Sequence, residues 1–274
     1  MSGSETVKKP FRIGFVGWGA IATRVASLLA ERGIAGVEIA AIATHAGHGD
    51  LVLPAGAVGV ATTAGLEGLG LDMVIECAGR PAVAEWGEAA LRHAKSFVVS
   101  STSAFCDETL LARLTEVARA AGSRLIVPSG ALGDLGALAA ASALPLDTVI
   151  HSIVKPPRAW KGTKAEETVD LDTISARTEF FSGSAREAAT LYPQNANVAA
   201  ITALYGIGMD RTRVVLVADP AATRNGHEVT AEGAFGRLTL SLENEPLKTN
   251  PKSSEMTALA IARLIENQVS PLVR

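Results

Sequence analysis

Aromatic residues make up only 4% of this chain, and just two cysteines occur in its 274 residues. So little cysteine excludes a disulfide-stapled secreted scaffold. Cys77 and Cys106 lie far apart and lack metal-ligand spacing, so both read as buried free thiols of a reducing compartment, and no metal is expected. Basic runs never exceed a couple of residues and the net charge is −3, so neither nucleic acid nor an anionic membrane is an expected partner. Apolar runs are short and broken by glycine, proline or charge, so no membrane span is expected. No signal-type stretch follows Met1, and Met1 to Pro10 reads as a frayed polar leader. The cytoplasm is the expected location. There is no internal repeat and no low-complexity linker.

Apolar residues, by contrast, are plentiful at 48%, which suits a close-packed α/β protein. Strand patterns at Arg12–Val16, Glu38–Ala43, Met73–Cys77, Phe97–Ser100 and Arg124–Pro128 alternate with helical patterns at Ile21–Arg32, Ala82–His93 and Glu108–Ala121. Such alternation predicts an α/β fold: an N-terminal Rossmann domain, a doubly wound parallel sheet, over residues 1–144. After Leu144 the pattern changes to α+β over 145–253. Strands are expected at Thr148–Val154, Thr168–Phe181, Thr212–Ala218, Glu228–Ala231 and Arg237–Leu242. Helices are expected at Ala185–Leu191 and Asn197–Tyr205. This second domain offers an open sheet that can serve as a dimer surface. The final helix, 254–267, could return to pack on the first domain.

The first strand runs into Gly17-Trp18-Gly19-Ala20-Ile21-Ala22. Gly17 permits a tight strand-to-helix bend, Gly19 lets backbone approach a pyrophosphate, and Ala22 allows close helix–strand packing. A bare glycine pattern is weak, but its place between strand and helix makes a dinucleotide site with NAD or NADP the expectation. The acid expected after the second strand is absent: Ala43 runs into Thr44-His45, which could accommodate either cofactor, with Asp50 a possible ribose partner. Asn225-Gly226-His227 stands between a strand and a hairpin pattern. A histidine there is more often structural, but beside a hydride-accepting cofactor it becomes a candidate proton handler.

Several motifs resemble the L-aspartate dehydrogenase family over nearly the full length. They include Glu76-Cys77-Ala78, Pro128-Ser129-Gly130-Ala131-Leu132-Gly133, Lys155-Pro156-Pro157, Tyr192-Pro193-Gln194-Asn195-Ala196-Asn197, Asn225-Gly226-His227-Glu228 and Asn250-Pro251-Lys252-Ser253-Ser254. The resemblance implies oxidation of L-aspartate by NAD or NADP through iminoaspartate to oxaloacetate and ammonia, with the imine available for pyridine-nucleotide biosynthesis. It implies His227 as the catalytic residue, and Ala131 and Asn197 as ligands of the nicotinamide half, with Gly17, Gly19, Ala20 and Ile21 at the phosphates. One departure is Asp134-Leu135-Gly136, where the family pattern is nearer Gly-Leu-Asp.

Two substrate carboxylates need cationic or N–H partners. Lys155, Asn195, Lys252 and Ser253 are candidates, the last two at a helix start. The plainer readings are a solvated charge for Lys155 and a helix cap for the asparagines. His45, His48, His93 and His151 lack partners at ligand spacing and read as structural, Trp86 and Trp160 as packing or surface aromatics. Trp18 either covers the cofactor or faces solvent. Rival readings are a dehydrogenase or imine reductase for another small acidic substrate, and a non-catalytic NAD(P)-binding sensor.

Overall fold

The computed structural model describes residues 9–44 and 52–273. The chain forms two compact units: 1–101, 109–128 and 261–274 make the first, and 102–108 with 129–260 make the second. The break thus falls after Pro128, ahead of the change of pattern expected near residue 144, and the short turn at 102–108 also belongs to the second unit.

The first unit is a six-stranded parallel sheet built from β1 (Phe11–Val16), β2 (Val37–Ala43), β3 (Val58–Val60), β4 (Met73–Glu76), β5 (Ser96–Val99) and β6 (Arg124–Ile126). Between them run α1 (Ala20–Glu31), α2 (Arg80–His93) and α3 (Glu108–Ala121). The strand order β3-β2-β1-β4-β5-β6 is the doubly wound Rossmann order, with its switch point between β1 and β4. Helices on both faces bury the strands fully, which is why β4 and β5 have no polar alternation. Ile13, Phe15, Ile42, Met73, Ile75, Phe97 and Trp86 form the centre of this core.

One charged residue sits inside that core. Glu76, at the carboxyl end of β4, is fully buried. Its carboxylate accepts from the amides of Ala78 (2.8 Å), Gly79 (2.7 Å) and Ser101 (2.9 Å), and from the Ser101 hydroxyl (2.9 Å). Burial pushes its pKa up, and these donors oppose the rise. Glu76 therefore stitches the turn after β4 to the turn after β5, at the edge where a dinucleotide would lie.

The second unit carries α4 (Gly136–Ala141), β7 (Leu146–Lys155), β8 (Thr178–Ser184), α5 (Ala185–Leu191), α6 (Ala196–Tyr205), β9 (Arg213–Ala218), β10 (Asn225–Gly233) and β11 (Gly236–Asn244). Its sheet order is β11-β10-β7-β9-β8, with only the β7–β9 pair parallel. Small side chains let α5 and α6 lie close to the sheet: Ala188, Ala196, Ala199, Ala200 and Ala203 pack with Ile153, Val214 and Leu216. The expected strand over Thr168–Phe181 begins only at Thr178. Before it, Asp170 accepts from the Asp172 amide (3.1 Å) and the Thr173 hydroxyl (2.8 Å), a local turn that overrides the β-branched residues around it. A small pair, β12 (Pro246–Leu247) and β13 (Asn250–Ser254), precedes α7 (Glu255–Val269). The helix is divided between the units at Ile261, and its Glu266 pairs with Arg32 of the first unit at 2.6 Å.

Glu76→Gln keeps the shape but turns an amide NH₂ toward at least one of four donors. A donor left unsatisfied in the core costs about 1–3 kcal/mol, so urea unfolding should show a loss of that size. Unchanged stability would contradict the stitching role.

Candidate active site

The bend after β1 needs glycine at one place for a steric reason. Gly17 has φ +88°, and a Cβ there would lie 2.7 Å from the Ala78 Cβ. Gly19 is exposed, and a Cβ on it would meet nothing within 4 Å, so its backbone is open to approach. Ala20 and Ile21 begin α1, where the first N–H groups have no partner within the helix. No side chain caps them and no acid lies in the first turn. Free amides and a positive dipole end with no competing carboxylate suit a pyrophosphate. Buried Ala22 lets the helix approach the sheet. Trp18 is half-buried, edge-on to Phe15 with ring centroids 5.4 Å apart. Thr44 follows β2, its amide donating to Val60, while His45, His48 and Asp50 lie outside the described residues.

In the second unit a strand period of two puts His151, Ile153 and Lys155 on one face of β7. His227 is the cross-strand partner of Ile153, diagonal to both polar residues. His227 Nδ1 lies 3.1 Å from His151 Nε2, with the rings tilted at 53°. His151 Nδ1 lies 2.8 Å from the Thr202 hydroxyl of α6. Both imidazoles are enclosed, His151 completely and His227 to within 5%. Burial lowers the His151 pKa to about 3. Burial, then His151, then Lys155 push the His227 pKa well below the usual histidine value. The ring is therefore neutral at physiological pH.

Lys155 is not a solvated charge. Its ammonium donates to Asn195 Oδ1 at 2.6 Å and lies 4.8 Å from the centroid of the Trp160 ring. Burial lowers its pKa to about 8. Asn195 ends the short turn Pro193–Asn195 and makes no capping bond to α6. It is 5% exposed, and its Nδ2 has no partner, an orphaned donor beside a cation. Asn197 is exposed in the first turn of α6. Its Oδ1 accepts from the Ser103 amide (3.0 Å) and its backbone oxygen from the Thr102 hydroxyl (3.0 Å). That arrangement leaves the Asn197 NH₂ as the end of the amide for a ligand. Ala131, half-buried in the turn Gly130–Leu132, accepts through its carbonyl from Asn244 Nδ2 at 2.7 Å.

Several expectations change. Asn225-Gly226-His227 opens β10 instead of preceding it, and the strand's register is what delivers His227 to His151. His151 was expected to be structural for want of partners; it has two. Only its place between the inward-facing Val149 and Ile153 could have flagged it. Lys252 and Ser253 lie on β13, not at a helix start. Lys252 is exposed, Ser253 accepts from Asn250, and no hydrogen bond or ion pair among the described residues ties either to the histidines or Lys155. Cys77 and Cys106 are half-buried, not buried. Trp86 and Trp160 are both core residues, and the Trp160 indole donates to Val217. Displaced Asp134 accepts from the Gly136 amide at 2.7 Å, which opens α4.

An open pyrophosphate seat on a Rossmann sheet, in a chain that also encloses a neutral imidazole, defines the class as a nicotinamide-dependent oxidoreductase. Comparison with known proteins narrows it. Residues 136–268 match the family described as "Aspartate dehydrogenase, C-terminal", and residues 17–128 match "Homoserine dehydrogenase, NAD binding domain". L-aspartate dehydrogenase of Brucella anthropi is 55% identical over 274 residues, the whole of both chains. The enzyme of that name from Ruegeria pomeroyi is 41% identical, covering 91% of this chain and 90% of its own. The crystal structure of aspartate dehydrogenase from Thermotoga maritima superposes with a TM-score of 0.75 at 26% identity, covering 96% of this chain and 99% of the other. The chain belongs to the aspartate dehydrogenase family.

Lys155 provides a thermodynamic check. The folded protein gives up this proton near pH 8, whereas the unfolded chain holds it to about 10.5. Between those values the unfolded state binds more protons, so this residue makes stability rise with pH. Wild-type unfolding free energy measured against Lys155→Met should therefore climb from about pH 8 to about 10.5. Parallel curves for the two proteins would contradict the burial of the ammonium.

Proposed function

We propose that this chain catalyses the NAD- or NADP-dependent oxidative deamination of L-aspartate, through iminoaspartate, to oxaloacetate and ammonia. The observation that carries the reading is the pairing of Lys155 with the orphaned Asn195 amide on the sheet face that bears the neutral His227. A cation and an unpartnered N–H donor suit a substrate carboxylate, since charge-assisted hydrogen bonds are the strong ones. Gly17, Gly19, Ala20 and Ile21 would hold the cofactor's pyrophosphate, and Ala131 with Asn197 its nicotinamide half. The cofactor, when bound, supplies the acceptor for the Cα hydrogen and its electron pair.

The protein's own residues serve the proton chemistry. Oxidation at Cα leaves an imine whose carbon is attacked by water. His227 holds that water, takes its proton as the C–O bond forms and passes it to the nitrogen; the carbinolamine then moves its hydroxyl proton to nitrogen as the C–N bond breaks, giving oxaloacetate and ammonia. Burial keeps the ring unprotonated and ready for this step. An imine released before water attacks would instead be available to pyridine-nucleotide biosynthesis.

We also propose that the protein works in the cytoplasm as a homodimer. No helix among the described residues is long and apolar enough to cross a membrane. Support for self-association comes from β11, a nine-residue strand at the edge of its sheet whose outer hydrogen-bonding groups can pair with another chain.

Initial rates with L-aspartate and each of NAD and NADP test the reading. The wild type should turn over, and His227→Ala should lose about 100- to 10,000-fold in kcat with cofactor binding retained. Absence of wild-type turnover with both cofactors would overturn it.

A further inference from the structure

The histidine pair ends in a residue that the mechanism above does not use. Thr202 lies in the middle of α6, fully buried, with its hydroxyl 3.0 Å from the Val198 carbonyl and 2.8 Å from His151 Nδ1. Threonine inside a helix often bonds back to the carbonyl four residues earlier, and by itself that would be unremarked local satisfaction. Here the same oxygen also meets a ring nitrogen, so one hydroxyl proton has two possible acceptors. Its choice propagates. Each neutral imidazole carries one N–H, and the two rings share a single contact, His151 Nε2 to His227 Nδ1 at 3.1 Å.

Two proton arrangements satisfy that contact. In the first, the Thr202 hydroxyl donates to Val198. His151 then donates from Nδ1 to the threonine oxygen, and its Nε2 accepts from His227 Nδ1–H. In the second, the Thr202 hydroxyl donates to His151 Nδ1, His151 donates from Nε2 to His227 Nδ1, and the His227 proton sits on Nε2. The first arrangement makes three hydrogen bonds along the chain and the second makes two. In an enclosed, desolvated cluster the fuller set wins.

We propose that His151 and Thr202 are positioning residues that hold His227 in its Nδ1–H tautomer and leave its Nε2 unprotonated as the proton-accepting atom. The orienting partner is a neutral imidazole, where catalytic triads use a carboxylate. It fixes the ring and its tautomer without a negative charge to stabilise an imidazolium. His227 is thereby built to orient water and pass its proton onward more than to store it. The part of this inference that concerns turnover rests on the aspartate dehydrogenase reading; the tautomer does not.

Nitrogen-15 NMR of the full-length protein, labelled at histidine, reads the tautomer directly, with the His227 ring assigned by the signals lost in His227→Ala. The wild type should show a pyrrole-type Nδ1 and a pyridine-type Nε2 at His227. Thr202→Val removes the acceptor of the His151 Nδ1–H at nearly constant volume. His151 should then move its proton to Nε2, and the His227 tautomer should invert. In the same variant kcat should fall at least about 10-fold, within the roughly 100- to 10,000-fold that proton transfer by a positioned side chain contributes, while KM for L-aspartate is held. Thr202→Ser should restore both the tautomer and the rate. A wild-type His227 protonated at Nε2 overturns the proposal whether or not any variant folds. So does a folded Thr202→Val protein with unchanged tautomer and kcat. An Nδ1–H wild type that fails to oxidise L-aspartate would leave the tautomer assignment standing and remove the substrate reading alone.

Discussion

Two imidazole rings shut away from water disfavour charge, and that single constraint organises the second unit. Because neither ring is solvated, both rest neutral, and each turns a ring nitrogen to a partner within the protein. The strand register supplies those partners. His227 opposes Ile153, which places it between His151 and Lys155 on the same face. The alanine-rich surface of α6 comes close enough to lay a threonine hydroxyl against the second ring. A bulkier helix face would hold the hydroxyl away, so the small residues of α6 set the position of the His151 ring.

The same low-dielectric setting explains why a lysine and an asparagine amide sit together without a carboxylate. Lys155 donates to Asn195 Oδ1 and faces the Trp160 ring, yet the Asn195 NH₂ is left without an acceptor. An unsatisfied buried donor beside a cation is the arrangement on which the proposed carboxylate site rests. In the nucleotide-binding unit the logic is reversed. There Glu76 is surrounded by four donors that are all engaged, and the open amides lie at the first turn of α1. Each unit thus combines engaged polar groups with open ones: Glu76 and the uncapped amides of α1 in the first, the histidine pair and the Asn195 amide in the second.

Much of this was legible beforehand. Helix and strand alternation up to Pro128 identified the doubly wound sheet, because short apolar runs bounded by turn residues alternate there with longer amphipathic patterns. The turn at Gly17 followed from its place between strand and helix, and Asn197 and His227 from family motifs. The three-residue strand β3 was too short to register against its neighbours. The start of β8 was misplaced because Asp170 forms a turn that competes with β-branched residues nearby. His151 escaped notice for a more general reason. Its partners are 51 and 76 residues away, and only the pairing of β7 with β10 and the approach of α6 bring them together. Lys155 was read as a solvated charge on similar grounds, since its burial depends on Trp160 and Asn195 meeting it in space.

A crystal structure of the protein with a nicotinamide cofactor and an unreactive dicarboxylate such as succinate would test the central claim most directly. The account predicts one carboxylate on Lys155 Nζ and Asn195 Nδ2, with His227 Nε2 facing the carbon that corresponds to the substrate Cα. A dicarboxylate bound away from these three side chains, with the Asn195 amide still unpartnered, would contradict it.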